Sequence, residues 1–211
     1  MAKKRFSILS MMVLTLSLVV AGCSTPSNSN EKIADIAANE QQEYQKAIEQ
    51  TGLGILFDFQ LKLPSADQSW VTMWVEAYKE GVKQPDHLTE ISYGLSPNKV
   101  EEGHTGFGIV NPDSEQPLLY MYAPSVKSPP HSIADDTIFS EQAIIKSWAY
   151  TIDQKSTGLE PGETKVLAIY VQGENDLKNY DYKQADSIQS VIDDGHTVLL
   201  LKIKVEAKQI E

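Results

Sequence analysis

Cys23 is the only cysteine in the 211-residue chain, and it ends the sequence Val-Ala-Gly-Cys at the close of an apolar run. A cysteine sulfur is a nucleophile and can be alkylated. Without a second cysteine, the chain cannot form an internal disulfide or a zinc site of several thiolates. We therefore expect modification at Cys23, and a domain held by an ordinary apolar core.

The residues before Cys23 have the composition of a targeting segment. Residues 3–5 are Lys-Lys-Arg, and residues 6–21 form an apolar run of 16 residues. A helix that spans a bilayer needs about 20 apolar residues, so this run favours a targeting segment over a permanent span. The small residues Ala21 and Gly22 let the chain lie extended in a peptidase site.

Taken together, these features resemble a bacterial lipoprotein signal peptide with its lipobox. The resemblance covers residues 1–23 and implies a signal peptide over residues 1–22, cleavage before Cys23 and a diacylglyceryl group on its sulfur. It also implies a lipid-anchored protein on the extracytoplasmic face of the cell membrane, and the lack of disulfides favours a Gram-positive envelope. Two acyl chains anchor stably, because each buried CH₂ contributes about 0.8 kcal/mol. Residues 23–30 would form the lipidated cysteine and a flexible tether.

The net charge of the mature chain argues against some classes of partner. The whole chain has 18 basic and 29 acidic residues, and removal of the three basic residues at 3–5 leaves 15 against 29, or about −14. Nucleic acid and anionic lipid would repel such a chain. We therefore predict no nucleic-acid partner, and attachment to the membrane through the lipid on Cys23 alone.

Two segments are predicted beyond the tether, a helix or stalk over residues 31–51 and a β-sandwich domain over residues 52–211. Ile33, Ile36 and Ile48 recur at helical spacing. From residue 54 the period changes to two, and short apolar runs are separated by turn residues. The predicted strands are residues 55–62, 70–79, 88–95, 105–111, 118–123, 144–152, 165–171 and 197–205. A long loop over residues 124–136 and a short helix over residues 187–194 complete the prediction.

One turn supports the architecture. Residues 159–163 read Leu-Glu-Pro-Gly-Glu, in which Pro presets one turn dihedral and Gly takes the left-handed position. This turn resembles those of extracellular immunoglobulin-like sandwiches. The expected fold is therefore mainly β, an antiparallel β-sandwich of immunoglobulin-like type with an N-terminal helix and one short helix in the C-terminal half. The resemblance implies nothing about activity.

Three aromatic residues are candidate ligand contacts. Trp70, Trp74 and Tyr78 would form a platform for a glycan or a peptide if they share one exposed sheet face. Core packing is the alternative, because each lies within a strand pattern.

No catalytic set is evident, and we predict no catalytic residue, metal site or cofactor. None of the four histidines has a partner at a metal-ligand spacing. The sequence favours a binding module at the cell surface, with an envelope protein, peptide or glycan as partner, over an enzyme. An envelope enzyme is the first alternative, and a cleft that joined two or more of His104, His131, Asp135 and Asp136 would favour it. The second alternative is a protective lipoprotein that binds a toxic peptide.

Overall fold

A computed structural model describes residues 32–133, 138–139, 143–174 and 178–208. The described residues form twelve strands and two α-helices. The strands are β1 (Ala34–Ala38), β2 (Gly54–Leu63), β3 (Ser69–Lys79), β4 (Val82–Lys83), β5 (Thr89–Gly94), β6 (Glu101–Val110), β7 (Leu118–Ala123), β8 (Val126–Ser132), β9 (Ile145–Tyr150), β10 (Thr157–Leu159), β11 (Thr164–Gly173) and β12 (Thr197–Ala207). The helices are α1 (Glu43–Gln50) and α2 (Ala185–Asp193).

The strands make two antiparallel sheets. Sheet A has the order β10-β1-β2-β6-β7-β8. Sheet B has the order β4-β3-β12-β11-β9, and β5 also pairs with β3. One apolar core joins residues of both sheets, such as Phe57 and Phe107 of sheet A and Met73 and Leu201 of sheet B. The predicted antiparallel β-sandwich is confirmed.

The predicted N-terminal helix is wrong before Glu43, because residues Ala34–Ala38 form β1. Ala34 and Ile36 are buried and Asp35 between them is half-buried, which is the period of a strand. The spacing of the isoleucines fits a helix as well. Pairing of β1 with both β2 and β10 decides between the two conformations.

The strand prediction from residue 70 to residue 79 is confirmed by β3, but the predicted loop over residues 124–136 contains β8. Pro129 and Pro130 lie within β8. Proline cannot donate to a ladder and is tolerated at a sheet edge, which is where β8 lies. The turn after Leu159 joins β10 of sheet A to β11 of sheet B, and Gly162 has a φ of 77°.

Helix α2 covers part of the outer face of sheet B. Val191 and Ile192 pack on Ile169, Val171 and Leu200 in a second, smaller apolar cluster. Neither described helix is long and apolar enough to cross a membrane.

Candidate functional site

Asp58 is a carboxylate that is almost completely buried on the outer face of sheet A. It lies on β2, and its side chain is only 1% exposed. Its neighbours Phe57 and Phe59 point into the core, so the alternation of the strand places Asp58 on the opposite face. A buried charge is costly unless it is hydrogen-bonded or paired, so the donors around Asp58 determine its role.

Four side chains donate hydrogen bonds to the Asp58 carboxylate. Tyr44 O–H, Asn39 Nδ2 and His104 Nδ1 contact Oδ2 at 2.5, 2.5 and 2.9 Å, respectively. Tyr122 O–H donates to Oδ1 at 2.5 Å. These donors come from the β1–α1 turn, α1, β6 and β7. The carboxylate therefore ties helix α1 to three strands of sheet A.

Two glycines of β6 make room for the tyrosines of β7. Tyr120 and Tyr122 are stacked with ring centroids 6.4 Å apart. A Cβ atom on Gly108 would lie 2.1 Å from Tyr120 Cε1, and one on Gly106 would lie 2.5 Å from Tyr122 O–H. Tyr122 thus lies across β6 and reaches Asp58 on the next strand.

The tyrosines around Asp58 stay protonated at neutral pH. Burial and the hydrogen bond to Asp58 raise the pKa of Tyr44 and of Tyr122 above their ordinary value. Burial also raises the pKa of Tyr150 to about 12. The hydroxyls of Tyr44 and Tyr122 consequently remain donors to Asp58 over the physiological range.

His104 is an exposed member of this cluster, with 56% of its side chain accessible. A carboxylate that holds one imidazole nitrogen orients the other for proton transfer. Among the described residues, His104 Nδ1 donates to Asp58 and lies 3.4 Å from Asn39 Nδ2, and His104 has no hydrogen bond to a serine or threonine hydroxyl. The cluster therefore holds an oriented histidine without a hydroxyl nucleophile bonded to it.

Gln45 fixes α1 on its other side. Its Nε2 donates to Leu56 O at 3.2 Å and to Tyr150 O–H at 2.6 Å. The Asp58 N–H also donates to Tyr150 O–H, at 3.0 Å. Strand β1 pairs with β2 only as far as Phe59. Beyond that point, the side chains of Gln45 and Tyr150 form hydrogen bonds with backbone groups of β2. These hydrogen bonds fix the position of α1 relative to β9.

A groove runs between α1 and β9. Its larger part, about 440 Å³, has Leu56 and Phe57 in its lining. A neighbouring part of about 190 Å³ is lined by Ile55 and Pro112 among others, and both parts share Glu49 and Trp148. The Trp148 side chain is 40% exposed in an otherwise mostly half-buried strand. An apolar floor and an accessible tryptophan are typical features of a ligand site.

The predicted aromatic residues Trp70, Trp74 and Tyr78 lie together on the outer face of sheet B. Trp74 is only 8% exposed and stacks under His87 with ring centroids 5.5 Å apart. Tyr78 packs against the cluster that α2 covers. Trp70 is half-buried, and Lys208 Nζ lies 3.8 Å from its ring centroid. The three side chains share a face but do not form an open platform.

The other predicted site residues are dispersed or lie outside the described residues. His131 is on β8, where its Nδ1 contacts Pro129 O at 3.0 Å, and it does not contact His104. Cys23, Asp135 and Asp136 lie outside the described residues. Within the described part of the chain, no group of three or more acidic, histidine or cysteine side chains is placed to hold a metal ion.

No family model, curated protein or solved structure matches this chain. The site is therefore interpreted from its own geometry. Sequence reasoning missed Asp58, because an aspartate at an outward position of an alternating strand is ordinarily solvated. It also did not single out Trp148, because the sequence alone does not show which aromatic residue lines a groove.

Proposed function

We propose that this protein is a lipid-anchored binding module on the extracytoplasmic face of the cell membrane, and that the groove between α1 and β9 is its ligand site. The lipobox at residues 20–23 supports the anchor. The groove, with Trp148 exposed at its centre, supports the binding role.

The position of the groove relative to the N-terminus is the observation that carries this proposal. The described chain begins at Lys32, and β1 starts where Asp35 pairs with Lys62 at the far end of β2. The groove lies beside residues 54–57, five to eight residues away along β2, which corresponds to about 16–26 Å at about 3.3 Å per residue. A tether at the N-terminus would leave the groove on the end of the domain that is remote from the membrane.

Metabolic labelling and photo-crosslinking test the proposal together. The Cys23→Ser variant should lose incorporation of labelled palmitate, since its hydroxyl cannot form the thioether, and should remain as the uncleaved precursor. Ser24→Ala is the matched control and should be labelled and cleaved. Label retained by Cys23→Ser would contradict the anchor.

Photo-crosslinking in the same cells tests the binding role. A photo-reactive phenylalanine analogue at position 148 should yield a reproducible crosslinked species, whereas the same analogue at position 70 should not, because Trp70 lies on another face. An equal yield from both positions would contradict a ligand site in the groove.

An envelope enzyme is the second candidate function, and the contact between His104 and the buried Asp58 carboxylate favours it. In that case His104→Gln should abolish turnover of an envelope substrate. If the protein only binds, the same variant should leave crosslinking from position 148 unchanged. A protective lipoprotein would use the groove, and sensitivity of a deletion strain to envelope-active peptides would identify that role.

A further inference from the structure

Strand β9 presents an unpaired edge to the groove. Thr151 N–H donates to Leu167 O of the β11 side at 2.9 Å, and Tyr150 pairs with Ala168. Alternate residues of an antiparallel strand direct their backbone groups to opposite sides. The N–H and C=O groups of Tyr150 and Trp148 therefore point away from β11, and no described strand pairs with β9 on that side.

Two other edge strands, β8 and β10, have features that hinder pairing with a further strand, whereas β9 lacks these features. Pro129 and Pro130 interrupt β8, and β10 has only three residues. Natural proteins protect edge strands in such ways because unpaired backbone N–H and C=O groups can pair with strands of other chains. Strand β9 has six residues and no proline. Its backbone is thus available for pairing with a further strand.

The groove provides space for that strand. Strand β1 ends opposite Phe59, so no described strand pairs with residues 54–58 of β2 on this side. Helix α1, which Gln45 joins to β2, forms the wall of the groove opposite β9. Trp148 lines both parts of the groove beside the free edge. The six residues of β9 span about 20 Å at about 3.3 Å per residue.

The charges of the groove favour a basic partner. Lys146 is paired with Asp113 and Lys183 with Asp153. Glu40 and Glu49 also line the groove, and neither has an ion pair with another described residue.

Lys46, which lies three residues before Glu49 on α1, offsets one of these two carboxylates. The net charge of the mature chain, about −14 from the 15 basic and 29 acidic residues counted above, adds a negative long-range field.

We infer that the groove binds an extended peptide with basic side chains, which adds to sheet B as a strand beside β9. Backbone hydrogen bonds to Trp148 and Tyr150 supply affinity, and alternate side chains enter the groove. This inference rests on the proposed binding function and names the class of its ligand.

Backbone methylation of a peptide probe tests strand addition. The probe is a dye-labelled heptapeptide in which valine alternates with lysine, and binding to the full-length protein in detergent is followed by fluorescence anisotropy. N-methylation at successive positions should weaken binding at least tenfold at every second position and less than twofold between them, because only alternate N–H groups face β9. Absence of saturable binding up to about 1 mM, or methylation effects without this alternation, would overturn the inference.

Matched variants locate the peptide and test the charge. Trp148→Ala should weaken binding at least tenfold and Trp70→Ala less than twofold. A glutamate counterpart of the probe should bind at least tenfold more weakly than the lysine probe, and equal binding of the two would overturn the basic preference. If position 148 still crosslinks a partner on cells while the probe does not bind, the proposed function stands and the peptide inference fails.

Discussion

Asp58 and Glu76 are buried carboxylates that are stabilised by different kinds of donor. Glu76 lies on the outer face of sheet B, where Lys202 Nζ and Lys83 Nζ contact it at 2.7 and 3.0 Å. Trp74 Nε1 also donates to it at 3.0 Å. Burial raises the pKa of Glu76, but the hydrogen bonds from Lys202, Trp74 and Lys83 outweigh burial and lower it to about 2. Asp58 relies instead on tyrosine, asparagine and histidine donors.

Glu76 should stabilise the fold at neutral pH and lose this effect in acid. Its folded pKa of about 2 lies below its ordinary value of 4.5, so the stabilisation is present above pH 4.5 and disappears as the pH falls through 2. Glu76→Gln should lower the free energy of unfolding at pH 7 by about 2–3 kcal/mol. Urea unfolding of the natural protein and of Glu76→Gln between pH 7 and pH 2 should show that their difference in free energy of unfolding shrinks.

Glu102→Gln is the control for Glu76. Glu102 pairs with Lys62, and both side chains are 50% exposed, so its loss should change stability by less than about 1 kcal/mol. A difference between Glu76→Gln and the natural sequence that stayed constant down to pH 2 would rule out the proposed role of the Glu76 charge.

Tyr44→Phe should show the reverse pH dependence. It removes one donor to the Asp58 carboxylate and should cost about 1.5–3 kcal/mol at pH 7, as for other hydrogen bonds to charged groups. The folded pKa of Tyr44 is raised above 10, so its stabilisation is present below pH 10 and is lost as the pH rises through the folded pKa. Denaturant unfolding should therefore show the difference narrowing in alkali. Tyr182→Phe, in the α2 cluster, serves as the control, and an equal loss there would contradict the assignment.

At the scale of elements, the glycines of β6 and the tyrosines of β7 form one packing unit. Gly108→Ala places Cβ against the Tyr120 ring and should destabilise by about 1–3 kcal/mol through overpacking. Adding Tyr120→Ala should recover part of this loss in urea unfolding, because the clash is with a side chain. Gly106→Ala should not be rescued by Tyr122→Ala, since its Cβ would also lie 2.3 Å from the Phe57 carbonyl oxygen.

Equal rescue of the two glycine variants would contradict this assignment of the clashes. Gly103→Ala is the milder control, because its nearest neighbour is Pro124 Cγ at 3.1 Å.

Element prediction from the sequence succeeded where periodicity was unambiguous. Alternation identified β2, and the β-branched and aromatic content of β3 favoured a strand over a helix. The same reasoning failed for β1, whose five residues fit both periods until β2 and β10 are placed beside it. It also failed for β8, because Pro129 and Pro130 suggest a loop unless the strand is known to lie at an edge.

The candidate site was less predictable than the fold, for a physical reason. The four donors to Asp58 are separated from it by 14 to 64 positions in the chain. The groove likewise combines a helix, β2 and β9, which come together only in the folded sandwich. By contrast, the four residues Val-Ala-Gly-Cys on which the proposed lipobox rests are consecutive in the chain, so that proposal needs no fold. Sites assembled from distant residues could not be proposed in this way.

At the scale of the whole molecule, the first described residues and the groove lie towards opposite ends of β2, and the membrane orientation proposed above can be measured. The lipidated protein would be placed in vesicles with an acceptor dye in the lipid headgroups, and donor dyes would be attached to Lys62→Cys or Glu115→Cys. Both positions are exposed, and Cys23 would be blocked by its thioether, so each variant has one free thiol. Lys62 is at the tether end, whereas Glu115 follows β6 at the groove end.

Energy transfer to the lipid should be stronger from position 62 than from position 115, because about 26 Å of β2 separates the two ends at about 3.3 Å per residue. Cleavage of the tether by a protease should abolish transfer from both positions, which controls for adsorption of the domain to the bilayer. With the proposed cleavage before Cys23, the chain would carry about −14 from 15 basic and 29 acidic residues, and raising the content of anionic lipid should then reduce transfer further by repelling the domain. Equal transfer from the two positions would mean that the domain has no preferred orientation, and the groove would then be as close to the membrane as the tether.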